Sequence, residues 1–186
     1  MRRFETSRLA VAIFLASEAV FFGFLIAAYI YYYAATKSGP QASNSLDPPR
    51  TLIFSFCLFA SSGTILLAER SLAARRMDAF RLWLFATILL GGAFLAGQGW
   101  EYVGLIEKQI TPERNLFGAT FFTLTGFHGF HVLCGLIALT VMLVLGCRRT
   151  FRPKEVAGMS AVALYWHFVD AVWIVIFSLV YLTVWV

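Results

Sequence analysis

Five stretches of this chain are each long and apolar enough to cross a lipid bilayer, and little sequence remains outside them. They run from about Leu9 to Ala35, Arg50 to Leu72, Phe80 to Ile106, Leu116 to Gly146 and Gly158 to Trp185. A bilayer's hydrocarbon core is about 30 Å thick, which a helix crosses in about 20 residues. Inside it each backbone N–H and C=O must be satisfied, which leaves helices as the form such runs can take. The connections are short and polar, as in TKSGPQASNSLDPP at 36–49. With 60% hydrophobic residues among 186, a water-soluble domain would have too little interior to hide them. The expectation is an all-α, polytopic membrane helix bundle, a single transmembrane domain over residues 1–186 with five spans.

Flanking charge orients the bundle. Arg2, Arg3 and Arg8 precede the first span; Arg70, Arg75, Arg76 and Arg81 lie around the second connection; Arg148, Arg149, Arg152 and Lys154 lie around the fourth. The opposite side carries only Lys37, Arg50, Lys108 and Arg114. Basic residues gather on the cytoplasmic side of membrane proteins, so the amino terminus is expected in the cytoplasm and the carboxyl terminus outside. The formal charge of +5 is spread over these flanks and forms no stripe that a nucleic acid would follow. Tyr29, Tyr31, Tyr32, Tyr33, Trp100, Tyr102, Tyr181 and Trp185 are expected to form an outer aromatic belt, with Trp83 at the inner end.

Smaller signals fill in the picture. The first span is too long for a secretory leader and carries Glu18, so it reads as a membrane helix. Asp47 or Ser45 is placed to cap the second helix, with Pro48 and Pro49 in its first turn. Cys57, Cys134 and Cys147 form no CxxC pair and read as small apolar fillers. Gly91, Gly92, Gly97 and Gly99 in span three, with Gly126, Gly129 and Gly135 in span four, mark places where helices can approach closely.

Ionisable groups in the spans are the candidates for function. Glu18 lies about 15 Å beyond Arg8, near the bilayer midplane. A carboxylate there costs at least about 2.5 kcal/mol, so it must be protonated or paired and must face protein. It reads as a neutral acid bonded to a neighbouring helix, or as a proton-relay or cation site. His128 and His131 stand at i, i+3 in TGFHGFHVLCG, as an interhelical hydrogen-bonding pair beside Gly126 and Gly129 or as ligands of a metal or haem. The first reading is favoured, because a closed metal site usually needs three or four protein ligands. His167 and Asp170 repeat that spacing, with Asp170 placed to accept the imidazole N–H and with Ile174 and Phe177 continuing an inward stripe. Glu101 is expected near the outer surface, solvated or structural.

Five motifs in order resemble subunit III of haem–copper terminal oxidases: ASEAVFF, SSGTILLAE, GQGWEYVG, FGATFFTLTGFHGFHVLCG and YWHFVDAVW. The resemblance covers nearly the whole chain from Leu9 onward. It implies an accessory subunit with no haem, copper or other metal and no catalytic residue of its own. Such a subunit packs beside the catalytic subunit I, with subunit II and other oxidase subunits, and the assembly is an oxygen-reducing, proton-pumping enzyme in a bacterial-type cytoplasmic membrane. The family binds phospholipid in a cleft and helps sustain proton uptake and turnover. Glu18 matches its buried carboxylate, and His128, His131, His167 and Asp170 match its polar interior. Many members have two further amino-terminal helices that wall the lipid cleft, so here another subunit would supply that wall. Arg148 and Arg149 are the expected phosphate contacts, by charge and depth.

Glu18 inclines the reading toward oxidation of cytochrome c rather than quinol. The alternatives are a five-helix accessory subunit of a nitric oxide reductase or quinol oxidase, a small haem-binding cytochrome using His128, His131 or His167, and a proton or cation carrier. The last would be expected to show inverted repeats or broken helices, which the sequence lacks.

Overall fold

The computed structural model describes residues 2–35, 46, 48–113, 116–148 and 153–181, with side chains from 9–32, 46, 49–113, 116–148 and 156–181. Five helices run through them: α1 (Arg2–Ala35), α2 (Pro48–Ala73), α3 (Met77–Glu107), α4 (Leu116–Arg148) and α5 (Pro153–Val180). Each contains a stretch long and apolar enough to span a membrane, so the protein is an all-α integral membrane bundle. The helices begin well before the apolar runs in α1, α3 and α5, at Arg2, Met77 and Pro153. Pro48 and Pro49 lie in the first turn of α2, as their fixed φ favours. Asp47, Ser45, Tyr33's side chain and Trp185 lie outside what is described.

Helices α2, α3, α4 and α5 close into a ring in which each touches the next, and α1 leans into the outer groove between α4 and α5. Of the apolar stretch of α1, only 6% is buried inside the protein, against 39% for α5. The core therefore sits within the four-helix ring, around Trp166, Trp173, Phe80, Phe94 and Phe121.

Two turns are sharper than the sequence announces. After α2 and after α3 the chain adopts a left-handed residue that is not glycine, Arg75 (φ 56°) and Gln109 (φ 61°). At the first, Arg76 N–H donates to Ser71 C=O and Arg75 N–H to Leu72 C=O; at the second, Ile110 N–H donates to Leu105 C=O and Gln109 N–H to Ile106 C=O. This paired pattern satisfies carbonyls that a helix end leaves open. Buried Ile110 and Leu105 add the apolar contact that accompanies it.

Close helix approach centres on two aromatic side chains: a Cβ at Gly97 of α3 would run into the Phe54 ring of α2, and a second ring is met by two helices at once. The Trp166 indole from α5 lies between α3 and α4, and a Cβ built at Gly91 or at Gly135 would stand 2.7 Å from it. Gly92 and Gly99 face nothing within 4 Å, so the expectation of tight packing does not hold for them.

Candidate functional site

The functional candidates divide between two interhelical contacts. On the α1 side, Glu18 Oε2 lies 3.0 Å from His131 Nε2 of α4. The other imidazole nitrogen, Nδ1, is 2.7 Å from the Phe127 carbonyl. A carbonyl only accepts, so Nδ1 carries hydrogen. One proton then lies between Nε2 and Oε2, and the pair is neutral overall whether the proton sits on the imidazole or on the acid. Phe22 packs edge-on against the His131 ring at 5.0 Å, and Tyr165 donates to the His131 carbonyl at 2.9 Å. Glu18 is thus paired, as its depth requires.

His128 behaves differently from its neighbour. It is fully buried, stacks on Trp173 with ring centroids 4.8 Å apart, and neither ring nitrogen has a hydrogen-bond partner among the described residues. The expected hydrogen-bonding pair is therefore half right. A three-residue step turns a helix through 300°, leaving the two rings about 60° apart around the axis. That separation sends His131 toward α1 and His128 into the ring, where it packs as an aromatic.

The second contact joins α2 to α5. The Ser62 hydroxyl of α2 stands 3.0 Å from His167 Nδ1 and also hydrogen-bonds Asp170 Oδ2. The sequence placed the imidazole and carboxylate in direct contact; the structure instead puts a serine from another helix between them. The inward stripe also runs differently. Asp170 is buried but Ile174 is exposed, and the buried line follows Trp166, Val169, Trp173, Ile176 and Val180. The i+3/i+4 alternation keeps a buried face in register, which a strict i+4 step beyond Asp170 does not.

Beside Ser62 and two turns before it, the same seam repeats a simpler unit. Trp173 Nε1–H donates to Ser55 Oγ at 2.8 Å, and Trp166 Nε1–H donates to Ser61 Oγ at 2.9 Å. Each serine passes its own hydrogen to an α2 carbonyl, Thr51 for Ser55 and Leu58 for Ser61. At the α2 amino end, Thr51 and Tyr181 donate to the two oxygens of Glu101 at 2.9 and 2.7 Å. Glu101 is therefore a structural tie among α2, α3 and the end of α5, the structural half of what the sequence led one to expect. Between α3 and α4, Gln98 donates to the Thr125 carbonyl at 2.6 Å and Tyr102 bonds the Thr125 hydroxyl at 2.8 Å.

The aromatic belt is corrected by the same geometry. Tyr31 and Trp100 are exposed, but Tyr29 and Tyr181 are buried and Tyr102 turns toward α4. Depth along a helix fixes the level of a ring and leaves its direction around the axis open. Sequence reasoning also missed Ser55, Ser61, Ser62, Gln98 and Thr125. For the three serines the signal was present as the small polar run ASSGT and a polar stripe at Thr51, Ser55 and Ser62.

Among the described residues no group of three or more His, Cys, Asp or Glu side chains is arranged to hold a metal. Cys57 and Cys134 are partly buried; Cys147 is exposed, so it fills no gap. Arg148 is exposed in the last turn of α4, while Arg149 lies outside the described residues. Near the start of α2, a cleft of about 270 Å³ is floored by Phe54, Phe94 and Trp173 and rimmed by Arg50, Trp100 and Glu101. The Arg50 guanidinium lies 5.8 Å from the Trp100 ring centre.

Comparison with known proteins places this arrangement. The family model described as cytochrome c oxidase subunit III matches residues 4–185. The chain is 38% identical over 174 residues to cytochrome c oxidase subunit 3 of Corynebacterium diphtheriae, covering 91% of this chain and 84% of that one. It is 37% identical to the probable cytochrome c oxidase subunit 3 of Nocardia farcinica and of Mycobacterium leprae, with the same two coverages in each case.

Proposed function

This chain belongs to the cytochrome c oxidase subunit III family, and from that premise we propose that it serves an aa3-type oxidase that passes electrons from cytochrome c to oxygen. It is an accessory, membrane-integral subunit of a respiratory oxidase complex. In the proposed assembly it packs beside subunit I, with subunit II nearby, in a bacterial cytoplasmic membrane with its amino terminus inside. Haem and copper belong to the partner subunits. This chain supports their stability and the uptake of protons, with Glu18–His131 and the α2–α5 seam as its proton-holding interior. Arg148 and Arg149 anchor phospholipid phosphate, and the cleft rimmed by Arg50 and Trp100 offers further room for a lipid.

The observation that carries this reading is the family match across all five helices. The sparse burial of α1 supports it, since an apolar helix with most of its surface uncovered suits contact with lipid or another membrane subunit.

Mild-detergent purification through a tag on this chain tests the reading. Haem A and copper are expected to arrive with the co-purifying subunits. Detaching the chain is expected to slow or shorten oxygen turnover while every redox centre stays in place. Partners carrying non-haem iron, or loss of a redox centre on detachment, would overturn it.

A further inference from the structure

The contact among Ser62, His167 and Asp170 has a chemistry that its geometry limits to few forms. All three groups lie in the middle third of their helices. His167 is eleven residues from Val156, the start of the α5 span, or about 16 Å, and thirteen from its end at Val180. Ser62 is equally central in the α2 span of Pro49–Ala73. Asp170 is only 5% exposed. An isolated charge at that depth is costly, so the trio is held to net neutrality.

A serine hydroxyl has one hydrogen, and here it has two neighbours, His167 Nδ1 and Asp170 Oδ2. If Ser62 donates to Asp170, it must receive from Nδ1–H; if Asp170 donates to Ser62, then Ser62 donates to Nδ1. With Asp170 Oδ1 unprotonated, net neutrality admits one version of each. In the first, an imidazolium and a carboxylate flank the hydroxyl. In the second, a neutral imidazole protonated at Nε2 and a carboxylic acid flank it.

The geometry points to a one-proton relay: Ser62 passes a proton between His167 and Asp170, and the trio exists as two interconverting neutral forms. In the forward step, the imidazolium N–H bond breaks as that hydrogen bonds to the serine oxygen. The serine's original hydrogen leaves for Asp170 Oδ2. Two protons each move one hydrogen bond, the imidazolium and carboxylate charges cancel, and no electron changes hands.

The remaining atoms fit this assignment. His167 Nε2 and Asp170 Oδ1 are buried and have no hydrogen-bond partner among the described residues. In both forms Nε2 is a donor and Oδ1 an acceptor, the valences an internal water satisfies without favouring either form strongly. The ion-pair form carries a large dipole and the neutral form does not. The ratio of the two therefore responds to the electric field of whatever charge lies near. The relay rests on the membrane location of α2 and α5 and not on the oxidase assignment, so the two stand or fall separately.

Infrared spectroscopy of the intact assembly tests it. In wild type, Asp170 is expected to show both a neutral-carboxyl C=O band, shifted in D2O, and a carboxylate band, one gaining as the other falls when temperature is changed reversibly. Asp170→Asn assigns both bands; carbon-13 aspartate labelling, compared with Ser62→Ala, assigns them if that variant does not assemble. Ser62→Ala is expected to abolish the interconversion and leave one form. Ser62→Thr, which keeps the hydroxyl, is expected to retain it. A single form in wild type at all temperatures, or interconversion that survives Ser62→Ala, would overturn the relay.

Discussion

α1 and α5 are both apolar membrane helices, yet they are held in opposite ways. The apolar stretch of α1 has the higher mean hydropathy, 2.4 against 1.8, and is the less buried, 6% against 39%. Hydropathy measures how readily a segment leaves water, and it carries no measure of what the segment then touches. Among the described residues, α1 meets the ring through the Glu18–His131 pair and through aromatic contacts, Phe21 on Phe127 among them. α5 is fixed along its length by Trp166, His167, Asp170, Trp173 and Tyr181, each meeting a polar partner on α2 or α3. The difference shows where the bundle keeps its specificity: in hydroxyls and indoles on the ring helices, while α1 keeps a free flank for other molecules.

The sharpest way to break this contrast is His167→Leu. It removes one member of a half-buried neutral trio and leaves Ser62 and Asp170 without their proton partner, a loss of about 3 kcal/mol. The yield of assembled complex is expected to fall several-fold; a normal yield would place the α2–α5 seam on the same footing as the α1 contact. Gly135→Ala comes next. The added methyl meets the Trp166 indole, and overpacking of this kind costs about 1–3 kcal/mol, read as a lower temperature of subunit release. Ser62→Ala deletes a single bridging hydroxyl and is expected to cost about 1 kcal/mol in the same measurement. Glu18→Gln is the mildest. Its amide can donate to His131 Nε2 while Nδ1–H keeps the Phe127 carbonyl, so assembly is expected to stay intact, within about 1 kcal/mol. A loss of α1 packing in that variant as large as that of His167→Leu would erase the distinction.

Much of this was legible before any coordinates. The apolar runs and their lengths gave the five helices, and the cost of burying charge singled out Glu18, His128, His131, His167 and Asp170 as groups needing partners, of which His128 has none among the described residues. The identity of those partners was not legible. Serine and threonine in a membrane helix satisfy themselves on carbonyls of their own preceding turn, as Ser55 does on Thr51. They therefore leave no unmet demand in the sequence that would point to Trp173 or Asp170. For Glu101 the same limit applies: counting residues located its depth but not Thr51 and Tyr181 beside it. The turns at Arg75 and Gln109 escaped because glycine is the usual signal for that backbone shape and neither position has it.

The indole wedged between Gly91 and Gly135 has a consequence for descent. Neither glycine can acquire a side chain without strain while residue 166 stays a tryptophan, and a shorter residue at 166 would open a void that a methyl at 91 or 135 could fill. Three positions on three different helices are thus bound to change together or stay as they are. Single steps at any one of them pass through a poorer molecule, which makes this trio a place where lineages should differ in concert or agree.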